Sequence, residues 1–355
     1  MEGDGSSKQL SQSAYQLEVK DEEVVLDVGT RMLQRIGFTV LSAGNGKEAL
    51  RIYSENKDRI ELVVLDSGFL LLGGWRLSSF SFRAEAVEGR APAFATGIKV
   101  SNPDLSVWIV TGDGDGLSIG GNHLLHTIRR NIDTQILLFN NKIYGLTKGQ
   151  YSPTSDVGTK TKSTPQGAID HPIDPIAFAL GCGATFIART IDVDAKHMQQ
   201  VLTRAHEHKG TAFVEILQNC PVFNDGIWDE LQDRKTRAES ALVLEHGEPL
   251  VFGKPGARKG VVFQHGVPSV VELADDDDPI ERGVTVHDEQ ANAVSYAGVL
   301  ATLQRPDFPL PVGVLRAVEK PTYEDELQIQ VDRAIEERGR GDLHALLHSG
   351  DTWQI

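Results

Sequence analysis

The chain has 355 residues, 40% of them hydrophobic, so it can bury a sizeable core and hold two or three folding units. Its 50 acidic and 35 basic residues give a formal charge of −15, which argues against nucleic acid or an anionic membrane as the main partner. The two cysteines lie far apart and do not indicate a disulfide-stapled secreted domain, and no apolar run is long enough to span a bilayer. We therefore expect a soluble, cytoplasmic protein without a membrane partner.

The first part of the chain alternates short apolar stretches with amphipathic ones. Residues 1–20 are polar and indicate a loose leader. From residue 21 to residue 82 the pattern predicts a βαβαβ unit, which is the start of a doubly wound α/β sheet. The predicted strands and helices, in chain order, are strand 23–26, helix 30–36, strand 38–41, helix 47–56 and strand 62–65.

Residues 84–235 continue this alternation and predict the main α/β domain, with a parallel sheet. A polar loop at 147–170 interrupts it, and a structureless stretch of that length is more often functional than a spacer. The core is expected to end near Asp233, and residues 236–355 are expected to form a C-terminal extension. The predicted strands are 106–111, 135–139, 185–189 and 212–217, and the predicted helices are 89–99, 119–130, 173–180 and 195–208.

A glycine-rich turn, Gly112-Asp113-Gly114-Asp115-Gly116, follows strand 106–111 directly. Backbone N–H groups of such a turn at the start of a helix form an anion site that suits a diphosphate. The Asp113 carboxylate would repel a phosphate there, and a dinucleotide fold places its acidic residue about 20 positions later. A divalent cation between the carboxylate and the diphosphate resolves this conflict.

A second polar turn, at 140–146, follows the next strand. The carboxyl ends of parallel strands meet at one edge of a sheet, so this turn and Asp113 are expected to lie close together. Mg²⁺ takes about six oxygen ligands, shared between protein carboxylates and phosphates. The side-chain oxygen of Asn141 and the backbone carbonyl of Ile143 would supply two of them. Two residues of the turn would let the backbone approach the diphosphate: Gly145 and Leu146.

Taken together, the two turns resemble the thiamine-diphosphate site of the β subunits of 2-oxoacid:ferredoxin oxidoreductases, the 2-oxoglutarate type especially. The likeness covers about residues 84–355 and includes Gln218-Asn219-Cys220 and Ser349-Gly350-Asp351-Thr352-Trp353. It implies a doubly wound parallel sheet that binds thiamine diphosphate. The implied reaction is oxidative decarboxylation of a 2-oxoacid, with 2-oxoglutarate favoured, to an acyl-CoA with ferredoxin as the electron acceptor.

The resemblance also implies a role for each residue of the two turns. It implies a separate α subunit that contacts the aminopyrimidine, so the acid that activates the cofactor is expected on that partner, and the catalytic residues of this chain are unknown. The implied magnesium ligands are Asp113, Asn141 and Ile143. The implied diphosphate-lining residues are Gly112, Gly114, Asp115, Gly145 and Leu146.

Other residues of this region have two interpretations each. The family's Cys-x-x-Cys-Gly cluster motif is missing here, and a four-cysteine iron–sulfur site cannot be built from two cysteines. Cys220 matches the family's remaining cluster cysteine, so it is either a ligand or a thiol without a cluster. The lysines of the long loop are either solvated charges or contacts to a substrate carboxylate or to coenzyme A phosphates: Lys148, Lys160 and Lys162.

Residues 21–77 resemble a different family, the first half of a response-regulator receiver domain. Asp66 would be its phospho-acceptor, with Asp21 and Glu22 as the acidic pocket. The later receiver strands have no counterpart, and half a receiver would leave its third strand exposed at an edge. The segment is therefore either a phospho-switch or a βαβαβ unit that packs against, or in place of, the enzyme segment that is missing here. Two alternatives stay open for the whole chain: a non-catalytic receiver-remnant fusion, and a recombined chimera that retains the cofactor motif.

Overall fold

A nine-stranded, mostly parallel β-sheet forms the centre of the protein, which confirms the α/β prediction. The structure is a computed structural model that describes residues 15–19, 39–43, 51–52, 54–56, 60–66, 70–72, 75–77, 89–145 and 147–350. The strand order in the large sheet is β10-β14-β8-β9-β7-β6-β3-β1-β2. In chain order the strands are β1 (Tyr15–Val19), β2 (Thr39–Ala43), β3 (Ile60–Asp66), β4 (Leu70–Leu72), β5 (Trp75–Leu77), β6 (Ser106–Gly112), β7 (Gln135–Asn140), β8 (Phe186–Ile191), β9 (Ala212–Leu217), β10 (Ala241–Leu244), β11 (Val251–Phe252), β12 (Arg258–Gln264), β13 (Val267–Leu273) and β14 (Leu310–Ala317).

Helices cover both faces of the large sheet. Residues 51–52 and 54–56 are also helical, inside the helix predicted at 47–56. Each helix that the structure describes is too short or too polar to cross a membrane. The others, in chain order, are α1 (Ala91–Ser101), α2 (Asp113–Leu117), α3 (Gly121–Arg129), α4 (Pro175–Gly181), α5 (Ala195–Glu207), α6 (Asp229–Gln232), α7 (Arg234–Ser240), α8 (Val294–Ala301), α9 (Tyr323–Arg338) and α10 (Leu343–Leu347).

The central strands are buried on both faces, and their sequences are therefore nearly continuous runs of apolar residues. All residues of β7, β8 and β9 are buried. Side chains of successive residues alternate between the two faces, so each strand contributes to two hydrophobic clusters. One cluster includes Ile136, Leu138 and Phe213 and the other includes Leu137, Val214 and Ile216.

Side-chain caps define where two of the helices begin. Asp174 accepts a hydrogen bond from the backbone N–H of Ala177, and Asp194 accepts one from that of His197. An aspartate at this position satisfies a backbone donor of the first helical turn that would otherwise lack a partner. Helix α4 therefore begins at Pro175, two residues later than predicted, because Asp174 caps it.

The N-terminal strands extend the same sheet. Strand β1 lies inside residues 1–20, so the prediction of a loose leader is wrong for Tyr15–Val19, where apolar and polar residues alternate as in a strand. The predicted strand 23–26 and helix 30–36 lie outside the described residues. Strand β3 pairs in parallel with β1 on one side and with β6 on the other. The expectation that a third strand would be exposed at an edge is therefore wrong for this chain, because β6 covers it.

The sheet also continues past the expected end of the core near Asp233. Strand β14 pairs antiparallel with β8, and β10 pairs in parallel with β14. All six residues of β14 from Leu310 to Leu315 are buried, so this strand is part of the hydrophobic core and not a surface addition to it. The C-terminal segment, predicted as an extension, contributes two strands to the central sheet.

Candidate functional site

The first predicted turn lies at the carboxyl edge of the sheet. Gly112 ends β6 and Asp113 begins α2. The Asp113 side chain is 1% exposed, and burial raises its pKa from 3.8 to about 6. Hydrogen bonds from the hydroxyls of Ser152 and Thr154 and from the backbone of Asn141 act in the opposite direction. Asp113 is thus a buried acid whose ionised form would gain from a nearby cation.

Two hydroxyl groups of the long polar loop hold the Asp113 carboxylate. Ser152 Oγ donates to Asp113 Oδ2 at 2.6 Å, and Thr154 Oγ1 donates to the same oxygen. Both residues are 2% exposed. The backbone N–H of Ser152 donates to Ser155 Oγ at 2.8 Å, which fixes the loop in this place. The loop is therefore part of the site.

The second turn is held by the side chain of Asn140, the last residue of β7. Its Oδ1 accepts a hydrogen bond from the backbone N–H of Lys142 at 3.1 Å. Lys142 adopts φ +53°, a left-handed conformation that costs energy for a side chain other than glycine. Ser155 Oγ donates to the Lys142 carbonyl at 2.7 Å and supports the same turn. Surrounding hydrogen bonds thus maintain the turn in a strained shape.

The structure brings the second turn into contact with the first. The hydroxyl of Tyr144 in the second turn donates to the carbonyl of Gly114 in the first turn at 2.6 Å. Asn141 is half-buried, and its Oδ1 accepts from the backbone N–H of Ile143 at 3.2 Å. Within the described ranges, no group donates to the carbonyl oxygen of Ile143. The carboxylate, the amide and this carbonyl therefore come from two turns that meet at one edge.

Two glycines of the turns border open space. A Cβ atom built at Gly112 or at Gly145 would meet no heavy atom within 4 Å. Both residues therefore leave room for a ligand to approach the backbone. Leu146, the other diphosphate-lining residue predicted in the second turn, lies outside the described residues.

Gly114 and Asp115 are arranged differently. A Cβ at Gly114 would lie 2.6 Å from Cε1 of Tyr144, whose hydroxyl donates to the Gly114 carbonyl at 2.6 Å. Glycine is required here because the aromatic ring packs directly on the backbone. Asp115 Oδ2 accepts from Thr111 Oγ1 at 2.7 Å, so this oxygen points back to β6. Gly114 and Asp115 therefore shape the turn, whereas Gly112 and Gly145 border the open space.

The groups at this edge fit magnesium and a diphosphate. In the part of the chain that the structure describes, no three His, Cys, Asp or Glu residues are arranged to hold a metal ion. A cation here would instead have one carboxylate, amide and carbonyl oxygens, and ligand phosphates, which is a common environment for Mg²⁺. The open space beside the two glycines would admit the phosphates.

The remaining predicted residues lie away from the two turns or are only partly described. Cys220 is a free thiol with 1% exposure, and Cys182 is free and half-buried. Asp66 is the last residue of β3, whereas Asp21 and Glu22 lie outside the described residues. The three lysines of the loop are exposed, and Lys148 adopts φ +67° beside the second turn: Lys148, Lys160 and Lys162.

The sequence alone did not identify several residues of the site. Ser152 and Thr154, whose hydroxyls hold Asp113, belong to no recognisable sequence motif. A second pair, Arg189 and Glu215, was overlooked although it carries a signal, because a charged residue interrupts an otherwise apolar strand in β8 and again in β9. Their side chains form an ion pair at 2.6 Å and are 2% and 1% exposed.

Comparison with known proteins adds a family likeness. Residues 82–216 match the model of the C-terminal thiamine pyrophosphate-binding domain of thiamine pyrophosphate enzymes. The 2-oxoglutarate oxidoreductase subunit KorB of Mycobacterium tuberculosis is 48% identical over 283 residues, which are 79% of this chain and 74% of that protein. The 2-oxoacid:ferredoxin oxidoreductase β subunit of Saccharolobus solfataricus is 46% identical over 149 residues, or 42% of this chain and 49% of the relative. The chain therefore spans about half the length of this archaeal relative.

A solved structure has the same fold. The 2-oxoglutarate:ferredoxin oxidoreductase of Magnetococcus marinus, with 2-oxoglutarate, coenzyme A and succinyl-CoA bound, aligns with a TM-score of 0.59. The alignment covers 92% of this chain and 89% of that chain at 24% identity. A receiver domain from Clostridium thermocellum aligns with a TM-score of only 0.25, so the receiver likeness of residues 21–77 stays a prediction.

Proposed function

The chain belongs to the β subunits of the 2-oxoacid:ferredoxin oxidoreductases, which are thiamine-diphosphate-dependent enzymes, and on that premise we propose that it binds Mg²⁺ at the two turns. The observation that carries the proposal is the contact between the turns, where the Tyr144 hydroxyl of one turn donates to the Gly114 carbonyl of the other, next to the buried carboxylate of Asp113. A carboxylate buried this deeply beside amide and carbonyl oxygens matches the ligand set that Mg²⁺ shares with phosphates.

The proposed ligand set follows the position of each group. Asp113, Asn141 and Ile143 would hold the ion through a carboxylate, a side-chain oxygen and a backbone carbonyl. Asp113 Oδ2 is held by the hydroxyls of Ser152 and Thr154, and hydrogen bonds of this kind orient metal-binding carboxylates. The residues proposed to line the diphosphate are Gly112, Gly114, Asp115, Gly145 and Leu146.

This chain would bind, orient and shield the cofactor. When bound, thiamine diphosphate supplies the nucleophile and the electron sink for decarboxylation of a 2-oxoacid. The chain's own contribution is to neutralise the diphosphate through Mg²⁺ and to keep water away from the buried carboxylate. The acid that activates the cofactor is proposed to lie on an α subunit, so activity would require both subunits.

We propose 2-oxoglutarate as the substrate, with coenzyme A and ferredoxin as further partners in the cytoplasm. The support is the 48% identity to a protein named as a 2-oxoglutarate oxidoreductase subunit. The exposed loop lysines, Lys148 above all, would contact a substrate carboxylate or coenzyme A phosphates. An iron–sulfur cluster with four cysteine ligands would need residues from elsewhere, because the chain has two cysteines.

The test is calorimetric titration of thiamine diphosphate into the purified chain, with and without Mg²⁺, for the wild type and for Asp113→Asn. We expect Mg²⁺-dependent binding in the wild type and a loss of at least about 100-fold in the variant, since removing a direct ligand exceeds the 10–100-fold effect of an indirect one. Asp133→Asn is the matched control, because Asp133 is an acid near the opposite edge of the same strands. Binding that does not depend on Mg²⁺, or an equal loss in both variants, would overturn the proposal.

A further inference from the structure

We propose that Glu215 and Arg189 are positioning residues of the magnesium site. They would fix the side chain of Asn140 and, through it, the second turn, which carries the proposed ligands Asn141 and Ile143. The inference rests on the proposed function, since it concerns the same site. Neither residue touches Asp113 or Asn141, so any effect on the ion would pass through other side chains.

The pair lies on β8 and β9, and β9 is the neighbour of β7, the strand that carries the second turn. Strand β9 lies between β7 and β8, and Arg189 is the direct register partner of Glu215. Arg189 Nε donates to Glu215 Oε2 at 2.6 Å, and its Nη1 donates to the carbonyl of Pro311 in β14 at 3.2 Å. The guanidinium is therefore held from two sides, and it holds the carboxylate in one orientation.

Glu215 in turn determines which way the Asn140 amide faces. Asn140 Nδ2 donates to Glu215 Oε1 at 2.7 Å. An ionised carboxylate only accepts hydrogen bonds, so the NH₂ group of Asn140 must face it and the amide oxygen must face the other way. With the amide so oriented, Asn140 Oδ1 becomes the acceptor for the backbone N–H of Lys142 in the second turn.

The second turn depends on that oxygen. The backbone N–H of Lys142 donates to it at 3.1 Å, which holds the strained turn that carries Asn141. A flipped Asn140 amide would place its NH₂ group against the Lys142 N–H, so two donors would face each other and the turn would be disturbed.

The position of this pair supports a role at the site. A buried ion pair can often be replaced by apolar residues of similar volume at no loss of stability, so stability alone does not require charges in a strand interior. The two residues also line a cavity of about 600 Å³ at the carboxyl edge, together with Asn140, Lys142 and Thr154. The pair therefore lies beside the side chains that support the second turn.

The first test compares two glutamates that are both buried and both paired with an arginine. Glu289 is 5% exposed, and Arg204 Nη1 donates to it at 2.9 Å, with no hydrogen bond to the two turns. In Glu215→Gln, the single amide oxygen would have to serve both Arg189 and Asn140, so Asn140 would lose its fixed orientation. We expect the Mg²⁺ concentration for half-saturation of thiamine diphosphate binding to rise about 10–100-fold in Glu215→Gln and to stay within about twofold in Glu289→Gln.

A double variant separates positioning from stability. Replacing the pair as Arg189→Met and Glu215→Met fills the core without a buried ion pair but leaves Asn140 Nδ2 without its acceptor, so the chain is expected to stay folded with a modestly lowered unfolding midpoint. The Mg²⁺ half-saturation should still rise about 10–100-fold, because Asn140 loses its partner. If Glu215→Gln does not fold, this double variant still tests whether the pair positions the magnesium site. Wild-type half-saturation in the double variant would overturn the inference while the proposed function stands; a wild-type chain without Mg²⁺-dependent binding would overturn the proposed function itself.

Discussion

The two edges of the central sheet both contain buried polar residues, yet they are built differently. At the amino edge, Asn131 Oδ1 accepts from Thr185 Oγ1 at 2.8 Å and from the backbone N–H of Thr211 at 3.0 Å, and its Nδ2 donates to the Pro321 carbonyl at 3.0 Å. These bonds join chain segments that are far apart in sequence. A Cβ at Gly210 would lie 2.4 Å from Asn131 Oδ1, so this edge is closed by packing.

At the carboxyl edge the polar groups instead converge on the two turns. Asp113, Asn140 and Glu215 are linked through hydrogen bonds and are each 2% exposed or less. Beside them, Gly112 and Gly145 border open space. The contrast indicates that polar residues at the amino edge stabilise the fold, whereas those at the carboxyl edge prepare a ligand site. That is also the edge where open α/β sheets bind ligands.

The largest effect is expected from a substitution at the amino edge. Lys99 Nζ lies 2.9 Å from Asp133 Oδ2 and donates to the Leu105 carbonyl, and Lys99 is 4% exposed. Lys99→Met leaves the half-buried Asp133 carboxylate without its nearest cation and should lower the free energy of unfolding by about 3 kcal/mol. Chemical denaturation measures this change, and thiamine diphosphate binding at saturating Mg²⁺ should stay unchanged.

Lys209 provides the matched control for that substitution. Its Nζ lies 3.4 Å from the same Asp133 oxygen, but the side chain is 74% exposed. Lys209→Met should therefore change the free energy of unfolding by less than about 1 kcal/mol. A folded Lys99→Met variant with weakened cofactor binding would show that the two edges are not independent.

The next effect is a pH dependence that has opposite signs at the two edges. The raised pKa of Asp113, about 6, means that the native chain holds a proton between pH about 4 and about 6 that the unfolded chain has released. Unfolding then releases a proton, so without Mg²⁺ the free energy of unfolding should fall as pH rises through this window. Between pH about 4 and about 7 the wild type should lose on the order of 3 kcal/mol more than Asp113→Asn, which cannot titrate there, measured by denaturation across pH.

Asp133 gives the reverse trend. Burial by itself would raise its pKa, but the Lys99 ammonium and the Gly210 backbone N–H lower it below 3.8. The stability that this acid contributes is present above pH about 4 and is lost as pH falls through the lowered pKa. A stability profile in which Asp113→Asn and Asp133→Asn shift the curve in the same direction would contradict the comparison.

The smallest effect is expected inside the first turn. Tyr144→Phe removes the hydroxyl that donates to the Gly114 carbonyl but keeps the ring that packs on this glycine. We expect the free energy of unfolding to fall by about 1 kcal/mol, measured by chemical denaturation. Tyr151→Phe is the control, because the Tyr151 hydroxyl donates to exposed Asp170 and its loss should leave the unfolding midpoint unchanged. Equal losses in both variants would argue against a specific role of the Tyr144 hydroxyl.

Local sequence patterns were sufficient for most of the central strands. The predicted strand 212–217 coincides with β9, and the other predicted strands that fall on described residues differ from the observed ones by one or two residues at one or both ends. The patterns did not predict that β14 would lie beside β8, because pairing between distant strands depends on how whole segments pack. For the same reason they did not predict the contact of Thr154 with Asp113.

By itself the sequence determined the alternation of strands and helices and the placement of Asp113 and Asn141 just after two strands, because side-chain periodicity and glycine-rich turns are local properties. Only the tertiary structure decided that β9 lies between β7 and β8, which brings Glu215 beside both Asn140 and Arg189. Strand order is set by burial of entire faces, so no short stretch of sequence encodes it. The sequence was therefore sufficient to predict the chemistry of the turns, whereas the side chains that orient them could be identified only from the folded sheet.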